Sequence, residues 1–161
     1  MKTYIDNLNG LHIKYIIINF VLTVSGFITT FIVGKIISDY KINMYLSVIM
    51  MMIILVIFLM GKKRYQSQLL KIRDYPMGKR LNAHHNLNKK RLNSYTIMNG
   101  FAILFLILSN NYLYLFFSVL FVILILLNRS SKFKLKIELN LSDKELENLS
   151  QPVIEKGKEI K

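Results

Sequence analysis

Long runs without charged residues dominate the hydropathy pattern of this 161-residue chain. Two of these runs, residues 15–34 and 42–61, each have the length of one membrane-spanning helix. Such a helix needs about 20 apolar residues to cross a hydrocarbon core of about 30 Å. A third run, residues 92–128, is too long for one span and long enough for two short ones.

The third run is interrupted by polar residues near its middle. Ser109, Asn110 and Asn111 are turn formers and predict the tip of a helical hairpin between spans at 93–108 and 112–128. One tilted span followed by an interfacial helix is the alternative. The pattern therefore predicts an all-α polytopic membrane protein, whose residues 1–128 form four transmembrane helices arranged as two hairpins.

The segment 61–92 connects the two hairpins. Leu69 and Ile72 recur among polar residues, which predicts that the second span continues beyond the membrane as a helix. Pro76 predicts a break, because the residue before a proline avoids helical conformation. A second helix over residues 79–91 then leads into the third span.

The tail, residues 129–161, carries a different pattern. Apolar and polar residues alternate over 132–141, which predicts a strand with one apolar face. The apolar positions of this strand are Phe133, Leu135, Ile137, Leu139 and Leu141. Because a single strand leaves its backbone unpaired, we expect it to pair with other subunits or with a partner protein. A helix or a flexible tail is the alternative. Ser142 and Glu145 have capping-box spacing and predict a short helix at 143–149.

Charge predicts the orientation of the chain. The net charge is +13, and 20 of the 22 lysines and arginines lie in the amino terminus, the central loop and the tail. Short loops rich in these residues stay in the cytosol, so both termini and the central loop are expected there. Ten basic residues of the loop are candidates for docking anionic lipids or a protein partner: Lys62, Lys63, Arg64, Lys71, Arg73, Lys79, Arg80, Lys89, Lys90 and Arg91.

Polar and small residues on the first span follow helical spacing. Asn19, Thr23, Gly26 and Thr30 are four, three and four positions apart, so they share one face that packs against other helices or lines a pore. Asn99 in the third span lies at a depth similar to that of Asn19. Since an unpaired amide in hydrocarbon is costly, we expect the two asparagines to share one helix interface.

The remaining chemistry is sparse. No cysteine is present, no span carries a charge, and no phosphate-binding loop, nucleophile elbow or carboxylate pair is found. His84 and His85 are adjacent, whereas a helical metal site prefers ligands four residues apart, so we expect them to contact solvent or a partner. Within the basic loop only Tyr65 and Tyr75 could stack on bases, which disfavours direct nucleic-acid binding. We expect neither enzymatic activity nor a cofactor or metal.

These features predict a non-enzymatic membrane anchor or sensor subunit that oligomerises and recruits a soluble cytosolic protein through its basic loop and its tail. In plan, the chain resembles the four-span membrane subunit of small bacterial anti-phage defence systems of the Kiwa type. The resemblance covers the span count, the basic loop and the cytosolic tail, and it implies a bacterial inner membrane and a role in defence. The alternatives are an oligomeric pore or membrane-permeabilising effector, and a bacteriocin immunity protein.

Overall fold

The computed structural model of the protein describes residues 3–34, 36–37 and 39–150, and all regular secondary structure in these ranges is helical. The remainder of the predicted tail, residues 151–161, lies outside the described residues. In chain order the helices are α1 (Tyr4–Val33), α2 (Tyr40–Ile72), α3 (Met77–Ser109), α4 (Tyr112–Leu127), α5 (Lys132–Leu139) and α6 (Asp143–Ser150).

Three helices, α1, α2 and α3, are each long and apolar enough to cross a membrane. Helix α4 has only 16 residues, which is about 24 Å of helix. It counts as a fourth candidate span only together with α5, which follows after a bend of 84°. By length and composition, the described chain therefore has three, or up to four, candidate spans.

Large apolar side chains cover the outer surface of the helical bundle. On α2, the successive residues Met51, Met52 and Ile53 are each more than 40% exposed, and they point about 100° apart around the helix. A soluble helix would keep such residues on one buried face, whereas a helix in lipid has no such need. This surface supports a helical membrane protein.

The three basic segments of the sequence meet at one end of the bundle. Leu8 of α1, Leu69 of α2 and Leu87 of α3 share a buried apolar cluster with Leu135 of α5 and Leu149 of α6. We call this region, formed by residues 4–14, 61–92 and 129–150, the basic end. The other main contacts are made by α1, α3 and α4, while α2 lies mainly against α3.

Helices α2 and α3 extend beyond the apolar segments. Each has 33 residues, or about 50 Å of helix, compared with a hydrocarbon core of about 30 Å. The predicted break between them is confirmed, since α2 ends at Ile72, Pro76 follows and α3 begins at Met77. The basic end is therefore built on continuations of the apolar helices.

The predicted turn between α3 and α4 is also confirmed. Asn110 has left-handed backbone dihedrals (φ 50°), which asparagine tolerates better than most residues. The side chain of Asn111 then accepts a hydrogen bond from the Leu113 backbone at 3.0 Å and caps α4.

The predicted strand at 132–141 is wrong, because Lys132–Leu139 form helix α5. The alternating pattern also places Leu135 and Leu139 four residues apart, on one face of a helix, and both are fully buried in the cluster at the basic end. Leu135, Leu139 and Leu141 of the predicted apolar face are thus covered within the chain, whereas Phe133 and Ile137 are 74% and 55% exposed. The expected sheet between subunits has no strand to build on.

Local signals define both ends of α5. The Ser131 side chain accepts a hydrogen bond from the Lys134 backbone at 3.2 Å. Asn140 adopts a left-handed conformation (φ 51°), and the Leu141 backbone N–H donates to the Lys136 carbonyl at 3.1 Å. This is the hydrogen bond of a Schellman motif, with asparagine in place of the usual glycine.

Two arginines complete the carboxyl-terminal end of α5. Arg73 donates from Nε to the Glu138 carbonyl at 3.1 Å and from Nη2 to the Ile137 carbonyl at 2.9 Å. Arg80 donates to the Leu139 carbonyl at 3.4 Å. The last carbonyls of a helix have no partner within it, and cations there also stabilise the helix dipole. Residues beside the α2–α3 turn therefore hold α5 in place.

The predicted capping box at the start of α6 is confirmed. The Ser142 backbone donates to the Glu145 carboxylate at 2.8 Å, and the Glu145 backbone donates to the Ser142 hydroxyl at 3.3 Å. Each residue thus satisfies a backbone donor of the other.

Candidate functional site

The polar stripe predicted on α1 faces the interior of the bundle. Asn19 is fully buried, and Thr23 and Thr30 are 8% and 2% exposed. The same helical spacing continues towards the basic end, so the stripe runs along most of the helix. The buried residues of α1 are Leu8, His12, Tyr15, Asn19, Thr23, Gly26 and Thr30.

The expected contact between Asn19 and Asn99 is confirmed. The Asn99 amide donates to the Asn19 side-chain oxygen at 2.9 Å, and Asn19 donates to the Thr96 hydroxyl at 2.8 Å. The hydroxyls of Thr23 and Ser118 lie 2.6 Å apart. These hydrogen bonds join α1, α3 and α4 within one chain, which favours helix packing over a pore lining between chains.

The ten basic residues of the loop fall into two groups. Arg73, Arg80 and Arg91 are partly buried and bind backbone carbonyls or side chains of the chain itself. The other seven present their charge at the surface of the basic end. These exposed residues are Lys62, Lys63, Arg64, Lys71, Lys79, Lys89 and Lys90.

His84 lies fully buried at the centre of a polar cluster in the basic end. Its Nε2 is 3.0 Å from a carboxylate oxygen of Glu138 in α5, and its Nδ1 is 2.9 Å from the hydroxyl of Tyr4 in α1. One turn along α3, the Asn88 amide donates to the His84 carbonyl at 3.1 Å. This cluster, which we call the His84 cluster, ties α1, α3 and α5 together.

Both ring nitrogens of His84 are occupied. A carboxylate only accepts hydrogen bonds, so Nε2 carries a proton and donates it to Glu138. The Tyr4 hydroxyl has two acceptors within reach, Nδ1 and the Leu81 carbonyl at 3.0 Å. Because neither nitrogen is free for a substrate, this geometry assigns the ring a structural role.

Glu138 is held as an anion. Burial raises the pKa of its carboxyl, but the contact with His84 and two nearby cations outweigh that effect and hold the pKa below its usual range. The cations are Lys134 and Arg91. The Tyr65 hydroxyl, 3.3 Å away, donates to the second carboxylate oxygen. The buried charge is therefore compensated from several sides.

The expectation that the histidine pair contacts solvent or a partner is wrong for His84. The signal that identifies it is its position, since Leu81, His84, Asn88 and Leu92 follow a spacing of three, four and four on one face of α3. His85 lies beside this face and is partly exposed. A histidine on an apolar stripe that reaches the core requires buried partners, and here Tyr4 and Glu138 supply them.

Other chemistry at the basic end is limited. In the described ranges, no three side chains of the types that ligate metals converge. Comparisons with protein families, characterised proteins and solved structures find no match for this chain. Its function must therefore be inferred from its own geometry and charge.

Proposed function

We propose that this protein is a non-enzymatic membrane anchor or sensor subunit with four spans, whose basic end lies in the cytosol and recruits a soluble partner with an acidic surface. In this arrangement α4 is the fourth span, and α5 turns away from it at the cytosolic boundary. Support for the orientation comes from charge: 20 of the 22 lysines and arginines belong to the three segments whose described parts meet at the basic end.

The observation that carries the proposal is the distance of exposed lysines from the apolar segments. When α2 runs along the membrane normal, Lys71 lies about 15 Å beyond Gly61, where the apolar segment of α2 ends. Lys79 lies about 20 Å beyond the start of the apolar segment of α3 at Leu92. The field of an anionic leaflet decays within a Debye length of about 8–10 Å. Because the headgroup layer adds about 5–7 Å to the hydrocarbon core, Lys71 lies about one Debye length beyond the leaflet surface and Lys79 lies further away, so attraction to lipid is weak at both charges.

A soluble protein with an acidic surface would account for them. Complementary charge steers association and selects partners, which suits a membrane platform that recruits a cytosolic protein. The sheet between subunits is not part of this proposal, because the strand on which it depended is a helix. The resemblance in plan to Kiwa-type membrane subunits supplies the proposed setting, anti-phage defence.

Cysteine labelling in intact cells tests the topology. The chain has no native cysteine, so single variants Tyr40→Cys, Lys71→Cys and Tyr112→Cys can each report one site. With a membrane-impermeant maleimide, we expect labelling at 40 and 112 from outside, and at 71 only after permeabilisation. If position 112 also required permeabilisation, the four-span arrangement would be wrong.

Quantitative co-purification tests recruitment. Full-length protein is cross-linked in its native host, purified in detergent and compared with Lys71→Gln/Lys79→Gln. We expect recovery of a soluble acidic protein to fall about three- to tenfold, because each exposed ion pair contributes about 0.5 kcal/mol. Lys63→Gln/Lys89→Gln, close to the apolar segments, is the matched control. Equal recovery with both double variants would contradict recruitment by the distant lysines.

A further inference from the structure

A cavity of about 1000 Å³ opens between α2 and α3 where the basic end meets the apolar bundle. Helix α2 packs on its neighbours on either side of this cavity. Ile54 contacts the cluster of Met98 and Phe121 at one level, and Leu69 contacts the cluster of Leu87 at the other. The volume is at the upper end of the range for ligand sites, about 300–1000 Å³.

The wall of this cavity gains charged residues along the helix axes. Its uncharged part includes Ile57, Phe58, Met98 and Leu124, all from the apolar segments. Its rim carries Lys62, Arg64, Arg73, Lys90, Arg91 and Glu138. The change occurs near Gly61 and Asn93, where the apolar segments of α2 and α3 end. A ligand that matches both parts of the wall is an anionic amphiphile.

Arg91 is an incompletely satisfied cation on this rim. Its guanidinium lies 4.1 Å from the centre of the Tyr65 ring, and Nη2 donates to Asn88. Its Nε is buried and has no hydrogen-bond partner among the described residues. Arg91 lines the cavity, and its guanidinium has N–H groups beyond the one bound to Asn88 that can donate to a bound anion. The nearby Glu138 carboxylate already accepts hydrogen bonds from other side chains.

The lysines of the rim add charge that the described residues do not neutralise. Lys62 and Lys90 are both exposed, and no ion pair in the described ranges involves either of them. Both lie within a few residues of the apolar segments, inside the range of an anionic leaflet. The rim is thus complementary to a phosphate at the membrane boundary.

We propose that this cavity binds one anionic phospholipid of the adjoining leaflet, with its phosphate between Arg91 and the two lysines and an acyl chain along Ile57 and Phe58. The proposal rests on the membrane arrangement proposed above, since the two parts of the wall then face the two regions of a lipid. A nucleic acid or an acidic protein would satisfy the rim and leave the apolar wall uncovered.

Native mass spectrometry of the full-length protein tests this assignment. The protein is released from detergent micelles doped with equal amounts of phosphatidylglycerol and phosphatidylcholine, and retained lipids are counted. We expect one phosphatidylglycerol to be retained in preference to phosphatidylcholine. Lys62→Gln/Lys90→Gln should lower its retention about ten- to thirtyfold, the order expected when two cations beside an anionic headgroup are removed.

The matched control is Lys63→Gln/Lys89→Gln. These lysines are the sequence neighbours of the first pair, are also exposed and do not line the cavity. The control removes the same number of charges, within one residue of the same distance from the apolar segments. Because these charges lie outside the cavity, we expect phosphatidylglycerol retention to stay within about twofold of the unmodified protein.

A second pair of variants tests the apolar wall. Ile57 lines the cavity and is 43% exposed, while Ile53, one turn away, is 44% exposed and lies outside it. We expect Ile57→Trp to fill the acyl-chain path and to reduce retention, and Ile53→Trp to leave retention unchanged. Because the charges stay in place, this pair separates a lipid site from a phosphate site.

Three results would overturn the assignment. These are equal loss with both lysine pairs, equal retention of the two lipids, and full displacement of phosphatidylglycerol by soluble glycerol phosphate. Sidedness and partners play no part in micelles, so a failure here is distinct from a failure of the labelling or co-purification experiments. If phosphatidylglycerol were retained as expected but the cysteines were labelled from the opposite sides to those expected, only the proposed topology would be rejected.

Discussion

At the scale of single residues, Gly26 sets the spacing between α1 and α3. A Cβ atom placed on it would clash with Cγ2 of Ile103. Ile103 is buried and β-branched, so its side chain has few alternative rotamers with which to move aside. The small residue on the polar stripe therefore permits the close approach on which the hydrogen bonds between Asn19 and Asn99 depend.

We expect Gly26→Ala to lower the free energy of unfolding in detergent by about 1–3 kcal/mol, the usual cost of overpacking. Helix propensity alone would change stability in the opposite direction, because it favours alanine over glycine by about 1 kcal/mol. Thermal unfolding measures the change. Gly100→Ala, where no atom lies within 4 Å of the new Cβ, is the matched control and should be neutral or stabilising. In a background that carries Ile103→Ala, Gly26→Ala should lower the free energy of unfolding by less. If Gly26→Ala and Gly100→Ala were equally stable, the close contact would be refuted.

Residues in the apolar segments were easier to predict than those at the basic end. Asn19 and Asn99 have few possible partners in hydrocarbon, so depth alone predicted their contact. His84 lies among many polar residues, and its partner Glu138 is 54 positions away in the sequence. No pattern in the sequence around His84 indicates this pairing. A polar residue therefore predicts its partner best where polar groups are rare.

At the scale of elements, α5 shows why a period-two pattern over eight residues is ambiguous. Alternation places Leu135 and Leu139 on one face of either a strand or a helix. The helix is favoured by the Ser131 cap, by Asn140 and by the arginines that bind its last carbonyls. The cap and the asparagine are visible in the sequence, while the arginine contacts depend on the tertiary fold.

Asn140 offers a test of this interpretation. Its left-handed backbone (φ 51°) costs a residue with a Cβ about 1–2 kcal/mol, less for asparagine and least for glycine. We expect Asn140→Ala to speed hydrogen exchange of the α5 amides about fivefold or more, and Asn140→Gly to leave it nearly unchanged. Asn86→Ala, at an exposed helical position, is the control and should not slow or speed exchange in α5. Similar exchange in Asn140→Ala and Asn140→Gly would mean that the backbone conformation is not what stabilises the end of α5.

At the scale of the whole molecule, the basic end combines a high positive charge with buried titratable groups that the fold holds in their basic forms. His12 precedes the apolar segment of α1, and burial, together with the charge of Arg91, lowers its pKa to about 4. A contact with the Ile125 backbone opposes this lowering of the pKa and does not outweigh it. Glu138 is the second such group, and the His84 cluster holds its pKa below the usual value.

Both groups make the protein sensitive to acid. Unfolded His12 takes up a proton near pH 6.5 and the folded form only near pH 4, so its contribution is complete above pH 6.5 and is lost as the pH falls to 4. Glu138 contributes to stability at pH values above its ordinary pKa of 4.5, and it loses that contribution as the pH falls through its lower folded pKa.

We expect the thermal midpoint in detergent to fall in two successive pH ranges, the first between pH 6.5 and 4 because of His12 and the second below pH 4.5 because of Glu138. His12→Leu should remove the first fall, because an apolar side chain fills the same space without a proton to bind, and should leave the second. A midpoint that fell equally between pH 6.5 and 4.5 in both proteins would show that His12 is not the group that titrates.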